Sequence, residues 1–244
     1  MNTATRLMVT LSLTLVSGYA TADDEFTEKF PLGSCWFLPI GGNPYFPITP
    51  GRQTYYSNSA CVAAGRCGAL TELWITMERD IRRIPLSVGK SSRTVIARVM
   101  EERETEDGEL AEISRNFVAD CFPSHDVYYF GEEVDIYEDG AIVDHEGAWL
   151  AGRHGAKPGM LMPEAGFMVG SRYFQESAPG VALDRAEHKR VGFSMQVPAG
   201  HFENCLEVEE TTPLERGKST KVYCRGVGLV KDDDLELIAI YSGR

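Results

Sequence analysis

Beyond the first two dozen residues, apolar and polar positions alternate with a period of two, and helical spacing is scarce. Val191, Phe193, Met195 and Val197 interleave with Gly192, Ser194 and Gln196, so one face of a strand is apolar and the other wet. Thr94 to Arg103, β-branched at its start, runs into Glu106-Asp107-Gly108 and then Leu110 to Ala119. Asp-Gly between two such segments predicts a tight hairpin, because glycine accepts the positive φ of the turn. The same device follows Asp126 to Tyr137 at Glu138-Asp139-Gly140 and continues as Ala141 to Trp149.

Further turns at Pro198-Ala199-Gly200, Pro213 to Gly217 and Asp232-Asp233-Asp234 separate strands at 201–210, 219–225, 227–230 and 235–241. Residues 70–84 fit a strand or a short helix equally. Residues 147–170 carry six glycines and two prolines and predict a long loop lying over the sheet as a lid. At least eight strands with little helix predict a mainly β protein: a single curved antiparallel sheet or open barrel.

The N-terminal end of the chain differs from this pattern and says where it works. Arg6 precedes a diluted apolar run from Leu7 to Val16, and Ala20-Thr21-Ala22 leads into Asp23-Asp24. That run is too short to span a bilayer and matches a secretory leader cleaved after residue 22. The expected arrangement is a signal peptide at 1–22 and a single β-rich domain at 23–244, without a cysteine for a lipid anchor at the new terminus. No later stretch is long and apolar enough for a membrane helix, so the mature chain is expected to be periplasmic or secreted and not membrane-spanning.

Removing the leader takes Arg6 with it and leaves 23 basic residues against 36 acidic ones, a net charge of −13. That balance argues against nucleic acid, which needs a cationic footprint. Six cysteines remain, at 35, 61, 67, 121, 205 and 224. An even count in an exported chain reads as disulfides, with fifteen pairings open. Cys61 and Cys67 enclose a short loop, and Cys205 and Cys224 flank a turn that sets them opposite each other. Elimination then joins Cys35 to Cys121.

The stretch VPAGHFENCLEVEE, 197–210, concentrates candidate chemistry. Alternation puts Phe202, Leu206 and Val208 on the core face and His201, Glu203, Cys205, Glu207 and Glu209 on the wet face. Were Cys205 reduced, it could form a soft metal site or an activated thiolate with His201 and Glu207. Met160, Met162 and Met168 with His154 and His145 raise a copper alternative, and the acidic turns at 104–109, 135–139 and 232–236 a calcium one, although none fits a calcium-loop consensus. Phosphate-loop, zincin, nucleophile-elbow and dinucleotide motifs all fail on a required position. A hydrolase built on paired carboxylates would need two acidic side chains sharing a cleft with raised pKa values. Asn43-Pro44-Tyr45-Phe46-Pro47 is a rigid segment that suits a clip closing one end of the sheet.

The segments NPYFPITPG (43–51), YYFGEEVDIYEDG (128–140), GAKPGMLMP (155–163), VPAGHFENCLEVEETTPLERG (197–217) and GVGLV (226–230) together resemble an uncharacterised family of exported bacterial β-rich proteins. The VPAG-x-F step is also similar to periplasmic lipoprotein-carrier-like proteins, whose concave sheet holds lipid. Neither resemblance transfers a functional residue, and no cofactor is implied. The expected function is a non-enzymatic binding or envelope-associated module. An apolar small molecule or lipid would sit under the lid, against His154, Met160, Met162, Tyr173 and Phe174. The alternatives are a metal-binding exported protein and an exported hydrolase.

Overall fold

A computed structural model describes residues 26–88 and 91–242, so the expected leader at 1–22 lies outside the described residues. Sixteen strands make up almost all of the regular structure. In chain order they are β1 (Trp36–Leu38), β2 (Gln53–Ser57), β3 (Thr71–Val88), β4 (Ser91–Glu106), β5 (Glu109–Phe122) and β6 (Asp126–Glu138). These are followed by β7 (Ala141–Asp144), β8 (Trp149–Leu150), β9 (Lys157–Met162), β10 (Arg172–Phe174) and β11 (Glu176–Ser177). The last five are β12 (Arg185–Val197), β13 (Gly200–Thr211), β14 (Ser219–Cys224), β15 (Gly228–Asp232) and β16 (Leu235–Tyr241). One five-residue helix, α1 (Ser59–Ala63), interrupts them, and no helix among the described residues is long and apolar enough to cross a membrane.

The strands form one antiparallel sheet whose main path runs β10-β12-β13-β14-β15-β16-β2-β3-β4-β5-β6-β9-β11, with β1 paired to β5 and β7 and β8 paired to β6. Its two terminal strands, β10 and β11, are separated in the chain by Gln175 alone. The path therefore returns to its starting point and leaves a nearly closed barrel, which removes most of the open edge that a flat sheet would expose. The hairpins form as the turn residues dictate. Glu106 pairs with Glu109 around Asp107-Gly108, and Glu138 pairs with Ala141 around Asp139-Gly140, all four turn residues having positive φ.

The ambiguous segment 70–84 is strand, as part of β3, and the helix lies earlier, at α1. Leu73, Ile75 and Met77 are buried in one register, Ile84 and Leu86 in the other, with an irregularity between Met77 and Ile81. That phase change is what blurs the period-two signal in the sequence. It is held by buried Arg98, whose Nη1 donates to the carbonyls of Glu78, Arg79 and Asp80 and whose Nε donates to Pro39 O at 2.8 Å. Four carbonyl acceptors and the nearby Asp80 charge compensate the buried cation.

Residues 147–170 do not form one long lid. Within them β8 and β9 pair with β6, and β9 pairs with β11, so much of the segment is barrel wall. Its glycines serve packing as well as turns. A side chain on Gly159 would overlap the carbonyl oxygens of Phe174 and Gln175, so only glycine lets the seam close there.

The three disulfides pair as expected: Cys35–Cys121, Cys61–Cys67 and Cys205–Cys224. Three such bonds and no free cysteine fit an oxidising compartment outside the cytoplasm. Apolar packing occurs on both sides of the sheet. Outside, Phe30 and Phe37 pack edge-on against Tyr128, and Phe37 also against Phe130, beside the Cys35–Cys121 bridge. The segment 43–46 is tied across the barrel. Asn43 Nδ2 donates to the carbonyls of His125 and Met162, while its Oδ1 accepts from the Tyr45 and Phe46 amides. Tyr45, Phe167, His188 and Tyr173 then meet in sequence, edge-on or tilted, and fill that region with rings.

Candidate binding cavity

Next to this packed region the barrel interior is open: a cavity of ≈ 220 Å³ is lined from strands all around the wall. Its apolar side carries Leu73, Ile75, Met77, Met100 and Leu161, and its aromatic side Tyr56, Tyr129, Trp149 and Tyr223. Phe46 and Pro47 line it from the segment that crosses the barrel. Between these stand six carboxyl groups, Glu102, Glu132, Glu176, Asp184, Glu210 and Asp232, with two cations, Lys221 and Arg52.

Register explains how the acidic groups come to face inward. Glu102 on β4 lies between Ile75 of β3 and Ser114 of β5, and two residues along from Met100. Glu132 on β6 lies between Asn116 of β5 and Trp149 of β8. Glu210 continues the inward row Leu206, Val208 on β13, beside Lys221 and Tyr223 of β14. Asp232 pairs with Lys221 from β15. Lys221 Nζ reaches Glu210 at 2.8 Å and Asp232 at 3.7 Å. Glu210 also accepts from Gln175 Nε2 at 2.8 Å. Glu176 accepts from the Asp184 amide at 2.5 Å. Tyr129 OH donates to Asn116, whose own amide reaches Ser114 and the Met100 carbonyl. Arg52 donates to the Val227 carbonyl at 2.6 Å.

Enclosure dominates the electrostatics. Burial pushes the Glu102 and Glu132 carboxyls up to about 7, with Lys221 lowering the former and Tyr129 the latter only in part. Burial, reinforced by the Asp184 charge, carries Glu176 well above the carboxylate range. Asp184 and Asp232 are raised by burial too. Burial works against the Lys221 charge but is outweighed by Glu210 and Asp232, so its pKa rises and it stays protonated. The cavity thus holds more acidic groups than its own cations can neutralise.

The residues singled out from sequence are placed elsewhere. His154 is exposed in the turn between β8 and β9, with positive φ. Met160 and Met162 are on β9, flanking Leu161; it is Leu161 that lines the cavity. Tyr173 is buried against His188 at 3.1 Å, and Phe174 packs edge-on against Phe26. None of the five lines the cavity; Met160 and Met162 on β9 and Tyr173 and Phe174 on β10 belong to strands that touch, while His154 stands apart in its turn. Gln175 and Glu176, next in the chain, do line it.

In the stretch 197–210, Cys205 is disulfide-bonded, which removes the thiolate reading. Glu207 and Glu209 form the expected outer row and are ion-paired, to Arg190 and to Lys189 and Lys218. Phe202 departs from the expected face. A bulge at Glu203–Asn204, with Asn204 at φ 52°, adds a residue between Phe202 and Cys205 and reverses the alternation there. Among the described residues, one group of three potential metal ligands converges, Cys61, Cys67 and Asp234, and its sulfurs are locked in a disulfide.

The sequence reading missed Glu102, Glu132 and Glu210. The available signal was a glutamate at a core-parity position: Glu210 continues Leu206 and Val208 at the same spacing.

No family model and no curated protein matches the sequence. Two solved structures align with it. One is a Bacteroides fragilis protein described as exported, with a YmcC-like fold: 15% identity, TM-score 0.33, covering 82% of this chain and 100% of that one. The other is from Parabacteroides distasonis and described as a lipoprotein: 11% identity, TM-score 0.30, covering 84% and 100%. Scores that low carry no functional argument.

Proposed function

We propose that the protein is a non-enzymatic, envelope-associated module of the periplasm or the exterior that holds one small organic molecule inside its barrel. The observation that carries this reading is the ≈ 220 Å³ cavity between ordered walls, lined by aromatic, aliphatic and ionisable side chains from strands around the sheet. Pockets with apolar walls and a few convergent polar groups are where small ligands bind. A wholly apolar ligand or lipid chain fits this lining poorly. It would strip the remaining solvent from Glu102, Glu132 and the Lys221 cluster and return no hydrogen bond. The ligand is therefore amphipathic, polar on the side that meets the carboxyl groups.

Native mass spectrometry of the protein isolated from its own envelope tests this. The expected result is one retained small molecule per chain, lost when Leu161→Trp fills the space. If wild type carries nothing, and Leu161→Trp simply stabilises the protein, the space is a packing flaw and the reading falls.

A second reading, a hydrolase using paired carboxyl groups, has one specific support: Glu102 and Glu132 line the same cavity and both titrate near neutrality. Turnover of activated glycoside or ester substrates, abolished by both Glu102→Gln and Glu132→Gln, would favour it over simple binding.

A further inference from the structure

The cavity's charges are satisfied unequally, and the imbalance says what its ligand carries. Glu210 and Asp232 share Lys221, Glu176 accepts a backbone amide, and Arg52 is spent on the Val227 carbonyl. Glu102 is different: it lines the cavity, yet no described residue offers it a hydrogen bond or an ion pair, and Lys221 acts on it only through its charge. A second polar group is also left over. The indole N–H of Trp149, a side chain 7% exposed on the same lining, finds no acceptor among the described residues. Trp149 stands edge-on to Tyr129 at 5.1 Å, beside Glu132.

We propose that the cavity selects an organic cation, a protonated amine on a small carbon skeleton, with Glu102 as its principal counter-ion and Trp149 donating to a polar atom of the same molecule. This deepens, and rests on, the reading of the barrel as a small-molecule binder. A carboxyl group enclosed by protein must either keep its proton or find a positive partner, and a ligand ammonium supplies that partner. Tyr129, Trp149, Tyr56 and Tyr223 add ring faces whose quadrupole attracts a cation and rejects an anion. A bare metal ion is the poorer match. Three or more oxygen ligands would have to converge, and the cavity carboxyl groups among the described residues do not. Acidic side chains distributed around apolar and aromatic walls suit an extended molecule with one charged end.

The test uses three probes of one shape, n-hexylamine, 1-hexanol and hexanoate, titrated calorimetrically into the full mature chain at about pH 8, where the amine is protonated. Hexylamine is expected to bind on the order of tenfold or more tighter than hexanol, with hexanoate excluded. Glu102→Gln is expected to erase the preference for the amine, bringing its affinity to that of hexanol, and exposed Glu138→Gln to leave the wild-type preference in place. Glu132→Gln provides a second variant, expected to narrow the preference. Equal affinity for amine and alcohol would overturn the cation inference and leave the binding reading standing. Failure of all three probes to bind would overturn both.

Discussion

Replacing Glu102 by glutamine should make the protein more stable, and only at high pH. Burial raises the Glu102 carboxyl from 4.5 to about 7. Folding therefore favours its protonated form, and that contribution is fully present below about pH 4.5 and is lost as pH rises through about 7. The shift corresponds to about 3 kcal/mol at most, and contact of the carboxyl with the open cavity reduces it to between about 1 and 3 kcal/mol. Glutamine carries no charge to desolvate, so Glu102→Gln escapes the loss. Urea unfolding of both proteins at about pH 4.5 and about pH 8.5 reads the difference. The variant should match wild type at the lower pH and exceed it by about 1 to 3 kcal/mol at the higher, with unchanged m-value. A group that weakens the folded state when ionised is what a binding residue looks like before its ligand arrives. If the variant is instead less stable at about pH 8.5, Glu102 is held ionised as an internal partner of Lys221. Glu102 then needs no external cation.

Three more outcomes follow from the geometry. The Cys205–Cys224 bond closes 19 residues, so replacing both cysteines by alanine should cost about 3 kcal/mol by loop closure. The Cys61–Cys67 bond closes only 6 and should cost about 2 kcal/mol; denaturant midpoints in the reverse order would contradict the ranking. Gly159→Ala pushes a methyl into the Phe174 and Gln175 carbonyls at the β9–β11 seam, and should lower stability by more than about 2 kcal/mol and open the barrel to hydrogen exchange between residues 157 and 177. An unchanged exchange pattern would show that the seam is not where the sheet closes. His188, buried against Tyr173 and Phe167, is lowered from 6.5 to about 4 by burial. Its contribution is present above about pH 6.5 and is lost as pH falls through about 4. His188→Gln should flatten the acid side of the stability curve over that window, and a slope identical to wild type would refute the assignment.

The alternating pattern was enough to identify a strand-built chain, to place the Asp107-Gly108 and Asp139-Gly140 hairpins, and to set Cys205 opposite Cys224. Each of these depends on residues near in sequence or on one pair of neighbouring strands. Local periodicity and turn sterics act at that range. Residues 70–84 are ambiguous in sequence because Arg98, contributed by another strand, holds an irregularity that shifts the apolar register within β3. Residues 147–170 suggest a lid for a related reason. Glycines and prolines are the same letters whether they end a wall strand or float over one, and only the approach of Phe174 and Gln175 to Gly159 decides which.

The cavity belongs to the same class of fact. A glutamate at 102 or 132 is an ordinary polar residue on its own strand. It becomes an enclosed, proton-holding group only when β9 and β11 meet and the sheet curls back on itself. Sequence determined the strands, their tight turns and their covalent staples, since these arise from neighbours along the chain. Closure of the barrel decided which acidic side chains lost their water, because desolvation depends on every wall at once and no single strand carries that information.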